Sequence, residues 1–367
     1  MIRAHSHKAF LALVRAGLWE KSVELRKYGT TNFDEIMRLA EEQSVIGLVT
    51  AGLEHVTDVK VPQEWLLQFI GQSLQIEQQN IELNTIIPKL FKKLRKEDVE
   101  TVMVKGQGVA QCYEKPQWRA SGDVDLLLDT ENYEKAKTVL IPIGYDVEAE
   151  DTWKKHQALK IMGVEVELHG KMPFGLSDKA DEVIDEVIYK TFNEHESLGK
   201  DEFVLVPMID EHVFLVFTHY LRHFFIEGVG LRQICDWCRL LWSYRESMNY
   251  ELLETRIRKA GLVTEWQVFA SLAVNYLGMP KETMPLLNLN DNHNANLRKK
   301  AEKVLKRILK SGNFGHNNDL SYRSKYKGMI YKIVATWRRF VEFASLMPIF
   351  PLDAPRFYMT YVYGKLI

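Results

Sequence analysis

The chain has 367 residues, length for roughly two to three domains and a sizeable core. Its formal net charge of −1 supplies no global basic field, so nucleic acid and anionic membrane are not indicated as partners. Three cysteines, Cys112, Cys235 and Cys238, are too few and odd in number for a disulfide framework and fit a reducing, cytoplasmic setting.

Along the chain, three zones are expected: a helical segment over 1–95, a mixed α/β unit over 96–205 and a helical domain over 206–367. The opening stretch MIRAHSHKAFLALVRAGLWEKSVELRKYG has no unbroken apolar core and reads as an amphipathic helix, not a signal peptide. NFDEIMRLAEEQSVIGLVTAGLEHV follows with apolar residues at helical spacing and Asn32 placed as an N-cap. VPQEWLLQFIGQSLQIEQQNIELNTIIPKLFKKLRKE is a long helical pattern interrupted only at Pro88. The polar face of that helix is rich in Gln, Glu and Lys, which is the ordinary pattern of a solvated surface.

The second zone changes period. ETVMVKG reads as a short strand ending in glycine, QGVAQCYEK as helix, and DVDLLLD as an apolar strand with acidic punctuation. NYEKAKTVLIPIG reads as a helix ending at Gly144. YDVEAED and HQALKIMG read as short strands, and VEVELHG alternates strictly. Strands alternating with helices indicate a mixed α/β unit. Helix resumes after Pro207 in DEHVFLVFTHYLRHFFIEGVGLRQICDWCRLLWSY. The segment SGNFGHNNDLSYRSKYKG is the best candidate for a mobile loop. The end of the chain, FVEFASLMPIFPLDAPRFYMTYVYGKLI, is broken by Pro348, Pro351, Asp353 and Arg356 and reads as an irregular apolar tail. No run of about 18 apolar residues marks a membrane span.

The chemistry concentrates in VMVKGQGVAQCYEKPQWRASGDVDLLLD. Residues two apart in a strand share a face, so Asp123 and Asp125 project side by side, and like charges that close repel unless a cation intervenes. The same period puts Glu165, Glu167 and His169 on one face of VEVELHG. If the two strands are neighbours, their oxygen donors converge and favour Mg²⁺ over zinc. Two such ions about 3.5–4 Å apart clamp an in-line phosphoryl displacement. Gly106 lies at a strand-to-helix junction, with Gln107 and Gly108 opening the helix, where phosphate fits, and Lys105 adds a point charge. The glycine-to-Lys-Ser/Thr spacing of a P-loop is absent.

Each site also has a plain structural reading. Asp123 can cap a strand end, Glu165 can form a salt bridge, His169 can orient or pack, and Arg119 can lie in a surface loop. A rival metal set is His219 and His223 one helical turn apart, with Cys235 and Cys238, the composition of a tetrahedral zinc site. Cysteine in an apolar helix is more often a small core residue.

The strand–Gly–helix loop, the Asp-x-Asp strand and the later acid resemble the nucleotidyltransferase superfamily of DNA polymerase beta and kanamycin nucleotidyltransferase. More closely, the pattern of Lys105-Gly106, Tyr113-x-x-Pro116-x-x-Arg119 and Gly122-Asp123-Val124-Asp125-Leu126-Leu127 resembles an uncharacterised bacterial nucleotidyltransferase family. Its acid–Leu–His strand is similar to Glu167-Leu168-His169, and its later helices mark His219, Arg232 and Asp236. The resemblance implies an α+β fold, with a small mixed sheet between N-terminal helices and a C-terminal helical domain.

It further implies Asp123, Asp125 and Glu167 as catalytic residues and ligands of Mg²⁺ or Mn²⁺. Lys105, Gly106 and Gln107 would hold the triphosphate, and Arg119 would neutralise the pyrophosphate leaving group. The implied reaction moves a nucleoside monophosphate from a nucleoside triphosphate such as ATP to a hydroxyl or phosphate acceptor. The chain departs from the superfamily at Gln107, where serine is usual, and at Glu167, where aspartate is usual. The alternative is a nucleotide-binding or regulatory module of the same fold with weak turnover.

Overall fold

A computed structural model describes residues 2–152, 155–170, 175–199, 201–287, 291–319 and 321–366. Helix α1 spans Ile2–Trp19, α2 Phe33–Glu42 and α3 Ile46–Glu54. Asn32 caps α2 as expected, its side chain accepting from the Glu35 N–H at 3.1 Å. Helix α1 is buried on more sides than an amphipathic helix should be, because α3 lies directly on its backbone. A Cβ on Gly17 would lie 1.9 Å from the Leu48 carbonyl oxygen, and one on Gly52 2.1 Å from that of Leu13. Only glycine permits that approach. Helix α4, Gln63–Lys96, runs straight through Pro88. The lost N–H bond is outweighed by burial of Leu83, Ile86, Ile87, Leu90, Phe91 and Leu94 in its second half.

The α/β unit begins with β1, Val102–Val104, and a single-turn helix α5, Gly106–Ala110. Strand β2, Asp123–Leu127, is followed by α6, Thr130–Leu140, β3, His156–Ile161, and β4, Val164–His169. The sheet order is β1-β2-β4-β3, with β2 and β4 parallel and the outer pairs antiparallel. Strands β3 and β4 are joined at Met162 and Gly163, both at positive φ (51° and 88°), as a two-residue type I′ hairpin requires. In β4 the residues alternate buried and half-buried: Val164, Val166 and Leu168 face the core, while Glu165, Glu167 and His169 face outward. The 145–151 stretch, expected as a strand, makes only isolated bridges from Tyr145 to Lys160 and from Asp151 to His156.

Helix α7, Asp178–Asn193, leads to a hairpin of β5, His195–Leu198, and β6, Asp201–Pro207, which the sequence reading did not separate. Among the described residues six α-helices follow: α8, Ile209–Ile226; α9, Leu231–Ser243; α10, Tyr250–Lys259; α11, Val263–Leu277; α12, Asp291–Ser311; and the short α13, Tyr322–Lys325. In place of the expected irregular tail stand α14, Gly328–Leu346, and α15, Asp353–Leu366. Pro348 and Pro351 lie between these helices, and Pro355 lies in the first turn of α15, where no N–H is needed. Residues of α1–α3 share one apolar cluster with α8, α9, α11 and α12, while α4, α6 and the four-stranded sheet enclose a second. The fold is the mixed α+β arrangement expected, a small sheet set among helices. Among the described residues no helix is long and apolar enough to cross a membrane.

Candidate active site

The parallel register of β2 and β4 sets Asp123 beside Glu165, Asp125 beside Glu167 and Leu127 beside His169. Because neighbouring strands are about 4.8 Å apart, the period-two pattern of each strand becomes a two-column array of acids on one face. Strand β3 adds a residue that sequence reasoning passed over: His156 lies opposite His169. The only advance signal was the histidine opening HQALKIMG, and its meaning depends on the hairpin register.

The charges on this face are unevenly compensated. Burial pushes the Asp125 carboxyl up, but the Lys105 ammonium at 2.8 Å and His169 Nε2 at 2.8 Å outweigh it and hold Asp125 below the usual carboxylate range. Burial likewise opposes ionisation of Glu167, yet His156 Nε2 at 3.2 Å and His169 Nε2 at 3.3 Å keep it low. His169 is pushed down by burial and raised, on balance, by Asp125 and Glu167. Asp123 and Glu165 are different. Burial first, and then the Asp125 charge for Asp123 and the Glu167 charge for Glu165, push both carboxyls above their ordinary values. Neither carboxylate has a hydrogen-bond donor or ion-pair partner among the described residues.

Lys105 reaches this face from a backbone conformation that few non-glycine residues adopt, φ 63° and ψ −141°. Its ammonium lies between Asp125 and His219 Nε2, 2.9 Å away. Gly106 follows at φ 46°. With only five residues, α5 carries little macrodipole. The Gln107 side chain is buried and turned from the cleft: its amide donates to Asn80 Oδ1 at 2.8 Å, and Asn80 donates to the carbonyls of Gln117 and Arg119, both at 2.8 Å.

Arg119 is also buried. Its guanidinium donates to both Asp236 oxygens, at 2.7 and 2.8 Å, and to Ser121 Oγ at 2.6 Å. Tyr113 donates its hydroxyl to Asp236 Oδ1 at 2.7 Å. Burial opposes the Asp236 charge, but Arg119 outweighs it and holds the carboxylate low. Tyr113 and Arg119 therefore bind the loop ahead of β2 to α9.

Opposite the acid face stands a basic wall from α8 and α9, and the two enclose an open cleft of about 700 Å³. Arg222, lining it, makes no hydrogen bond or ion pair among the described residues. Arg232 donates through Nη1 to the Ala120 carbonyl at 2.6 Å, while its buried Nε has no partner. His219 and His223 also face the cleft, their Nε2 atoms 3.1 Å apart, and His223 Nδ1 contacts Glu227 Oε2 at 2.8 Å. Burial, first, and the Lys105 charge hold His219 well below its ordinary value.

Cys235 and Cys238 are fully buried in the helical core. Among the described residues they group with no histidine as ligands, so the rival zinc set does not assemble. Asn313 and Phe314, within the segment expected to be a mobile loop, line the cleft, and Asn313 is held by Gln233 and Ser44 at 2.8 and 2.9 Å. Residue 320 of that segment lies outside the described residues.

No curated protein and no solved structure matches the chain. The profile of a family described as uncharacterised nucleotidyltransferase matches residues 29–278, a span that holds the sheet, the acid columns and the basic helices. The chain belongs to that uncharacterised nucleotidyltransferase family.

Proposed function

We propose that the protein is a divalent-metal-dependent nucleotidyltransferase of the type of DNA polymerase beta and kanamycin nucleotidyltransferase. It would transfer a nucleoside monophosphate from a triphosphate, ATP being the first to test, to a hydroxyl or phosphate acceptor. The observation that carries this reading is the opposition, across one cleft, of under-compensated carboxylates on β2 and β4 and under-partnered guanidiniums on α8 and α9. A cleft of about 700 Å³ is in the range of nucleotide-sized pockets.

The donors fit Mg²⁺. Asp123, Asp125 and Glu167 offer oxygen donors on adjacent strands, and the Lys105 and Arg232 charges that act on Asp123 do not offset its burial and the Asp125 charge, which leaves its carboxylate in want of a cation. A bound Mg²⁺ would supply Lewis-acid polarisation of the α-phosphoryl group. The chain's own groups do the rest. Arg222 and Arg232 would bind the triphosphate oxygens, with Lys105 as a further cation at Gly106. Glu167 would accept the acceptor hydroxyl proton as the acceptor oxygen bonds to the α-phosphorus and the bond to the β-phosphate oxygen breaks. Pyrophosphate leaves with that electron pair. Gln107 and Arg119, committed to Asn80 and Asp236, would act by holding the loop ahead of β2, with Arg119 adding positive potential from behind the site.

Incubation with each α-labelled triphosphate, Mg²⁺ and candidate acceptors tests the reading. Pyrophosphate release and label transfer that vanish in Asp123→Asn support it. Binding without pyrophosphate release under all acceptors would favour the module with weak turnover, in keeping with Gln107 at the usual serine position.

A further inference from the structure

Two histidines and a glutamate on the acid face form a grouping that the oxygen-ligand site does not need. His156 Nε2 lies 3.2 Å and His169 Nε2 3.3 Å from the same atom, Glu167 Oε2. One ligand atom from each of the three residues can be chosen so that all lie within 4.8 Å of one another. Metal–donor bonds of about 2.1 Å require neighbouring donors about 3.0 Å apart in an octahedron and about 3.4 Å in a tetrahedron. The two contacts to Glu167 fall within that range.

The arrangement is fixed by backbone, not by surface side chains meeting by chance. Glu167 and His169 share a face of β4 through the strand period. His156 is the register partner of His169 across a hairpin whose tight turn fixes the pairing. The side chains retain 30%, 25% and 12% exposure for His156, Glu167 and His169, and all three line the cleft. The grouping thus opens toward the space where a substrate oxygen or water would complete a coordination sphere.

We propose that His156, Glu167 and His169 form a second metal position, beside the Asp123–Asp125 pair, that takes Zn²⁺ or Mn²⁺ in preference to Mg²⁺. Two imidazoles and one carboxylate are the ligand set of open zinc sites, and imidazole also suits other first-row divalent ions. Mg²⁺ prefers oxygen and parts reluctantly with water, so it is the poorer match. Glu167 bridges the two positions. His169 Nε2 also contacts Asp125 Oδ1 at 2.8 Å, a bond it would give up on binding the metal. The proposal rests on the nucleotidyl-transfer reading only through these shared contacts, because the histidine set needs no nucleotide.

The test is metal binding to the full chain without nucleotide, by competition between Zn²⁺ and a chromophoric chelator and by the Mn²⁺ electron paramagnetic resonance signal. The expected result is a single tight equivalent of Zn²⁺ that millimolar Mg²⁺ does not displace. His156→Ala should weaken it by at least the roughly 10–100-fold that even an outer-shell loss costs. His156→Asp, which restores an oxygen ligand, should recover Mn²⁺ binding while narrowing the preference over Mg²⁺, and near-ultraviolet circular dichroism checks that both variants are folded. Asp123→Asn should leave Zn²⁺ affinity nearly unchanged. A wild-type affinity no greater than that of folded His156→Ala, or ready displacement by Mg²⁺, overturns the proposal. Zn²⁺ binding as described with no nucleotide turnover overturns the transferase reading alone.

Discussion

Asp236→Asn should destabilise the protein by about 3–5 kcal/mol, the usual cost of removing one partner from a buried ion pair. The Arg119 and Asp236 side chains are 4% and 7% exposed, so water cannot replace the lost charge. The guanidinium would keep its bonds to Ser121 Oγ and the Ala120 carbonyl, but one of its two charge-assisted bonds to Asp236 would become a contact with an amide N–H. Tyr113 would keep an acceptor only if the asparagine oxygen took the Oδ1 position. Arg119→Met with Asp236→Leu removes both charges and should recover most of the loss, because burial of an unpaired ion, not absence of the pair, is the expensive state. Urea unfolding of the wild type, Arg119→Met, Asp236→Leu and the double variant completes the cycle, with Asp236→Asn measured beside it, provided the m-value is unchanged. A cost below about 1 kcal/mol for Asp236→Asn, or a double variant as unstable as the sum of the singles, would refute the assignment of this pair as the clamp between the β2 loop and α9.

Three further outcomes are open to measurement. Gly106→Ala should cost about 1–2 kcal/mol through its positive φ and not through crowding, since the nearest atom to an added Cβ is the Asp123 carbonyl oxygen at 3.7 Å; thermal unfolding showing no loss would place the strain elsewhere. Glu167→Gln should lower kcat by orders of magnitude with little change in KM for the triphosphate, whereas Glu165→Gln should change turnover far less; equal effects would remove the distinction drawn between the two glutamates. Burial raises Asp181 to about 6 from an ordinary 3.8, so its contribution is full below about pH 4 and is lost as the pH rises through 6. A shift of that size corresponds to at most about 3 kcal/mol, so Asp181→Asn should gain stability relative to wild type between pH 4 and 7 in denaturant titrations; a parallel pH profile would contradict it.

The acid face could be read in the sequence because its period is local. DVD and VEVELH each state, within a few residues, which side chains share a face, and the parallel pairing of β2 with β4 aligns them. The Asn32 cap and the helices after Pro207 were legible for the same reason. What was not legible depends on partners far along the chain. Arg119 meets Asp236 across 117 positions, and Lys105 meets His219 across 114. The role of His156 needs the β3–β4 register. The end of the chain misled for a different reason: Pro348 and Pro351 do interrupt helix, but they mark the junction between α14 and α15, not an irregular tail.

These long-range contacts also explain why the separated motif blocks belong to one site. Tyr113 and Arg119 converge on Asp236, so the loop ahead of β2 cannot move without disturbing α9. Arg232, one helical turn earlier on α9, donates to Ala120 in that same loop and also lines the cleft. Lys105 joins Asp125 of the sheet to His219 of α8. The acid columns and the basic wall are thus held at a set separation by buried, charge-assisted bonds on each side of the cleft. Under the proposed function, which sets metal-binding carboxylates on one side of a triphosphate and guanidiniums on the other, that separation is the quantity to preserve. An Asp236 variant that remains folded should therefore lose turnover as well as stability, although Asp236 need touch no substrate.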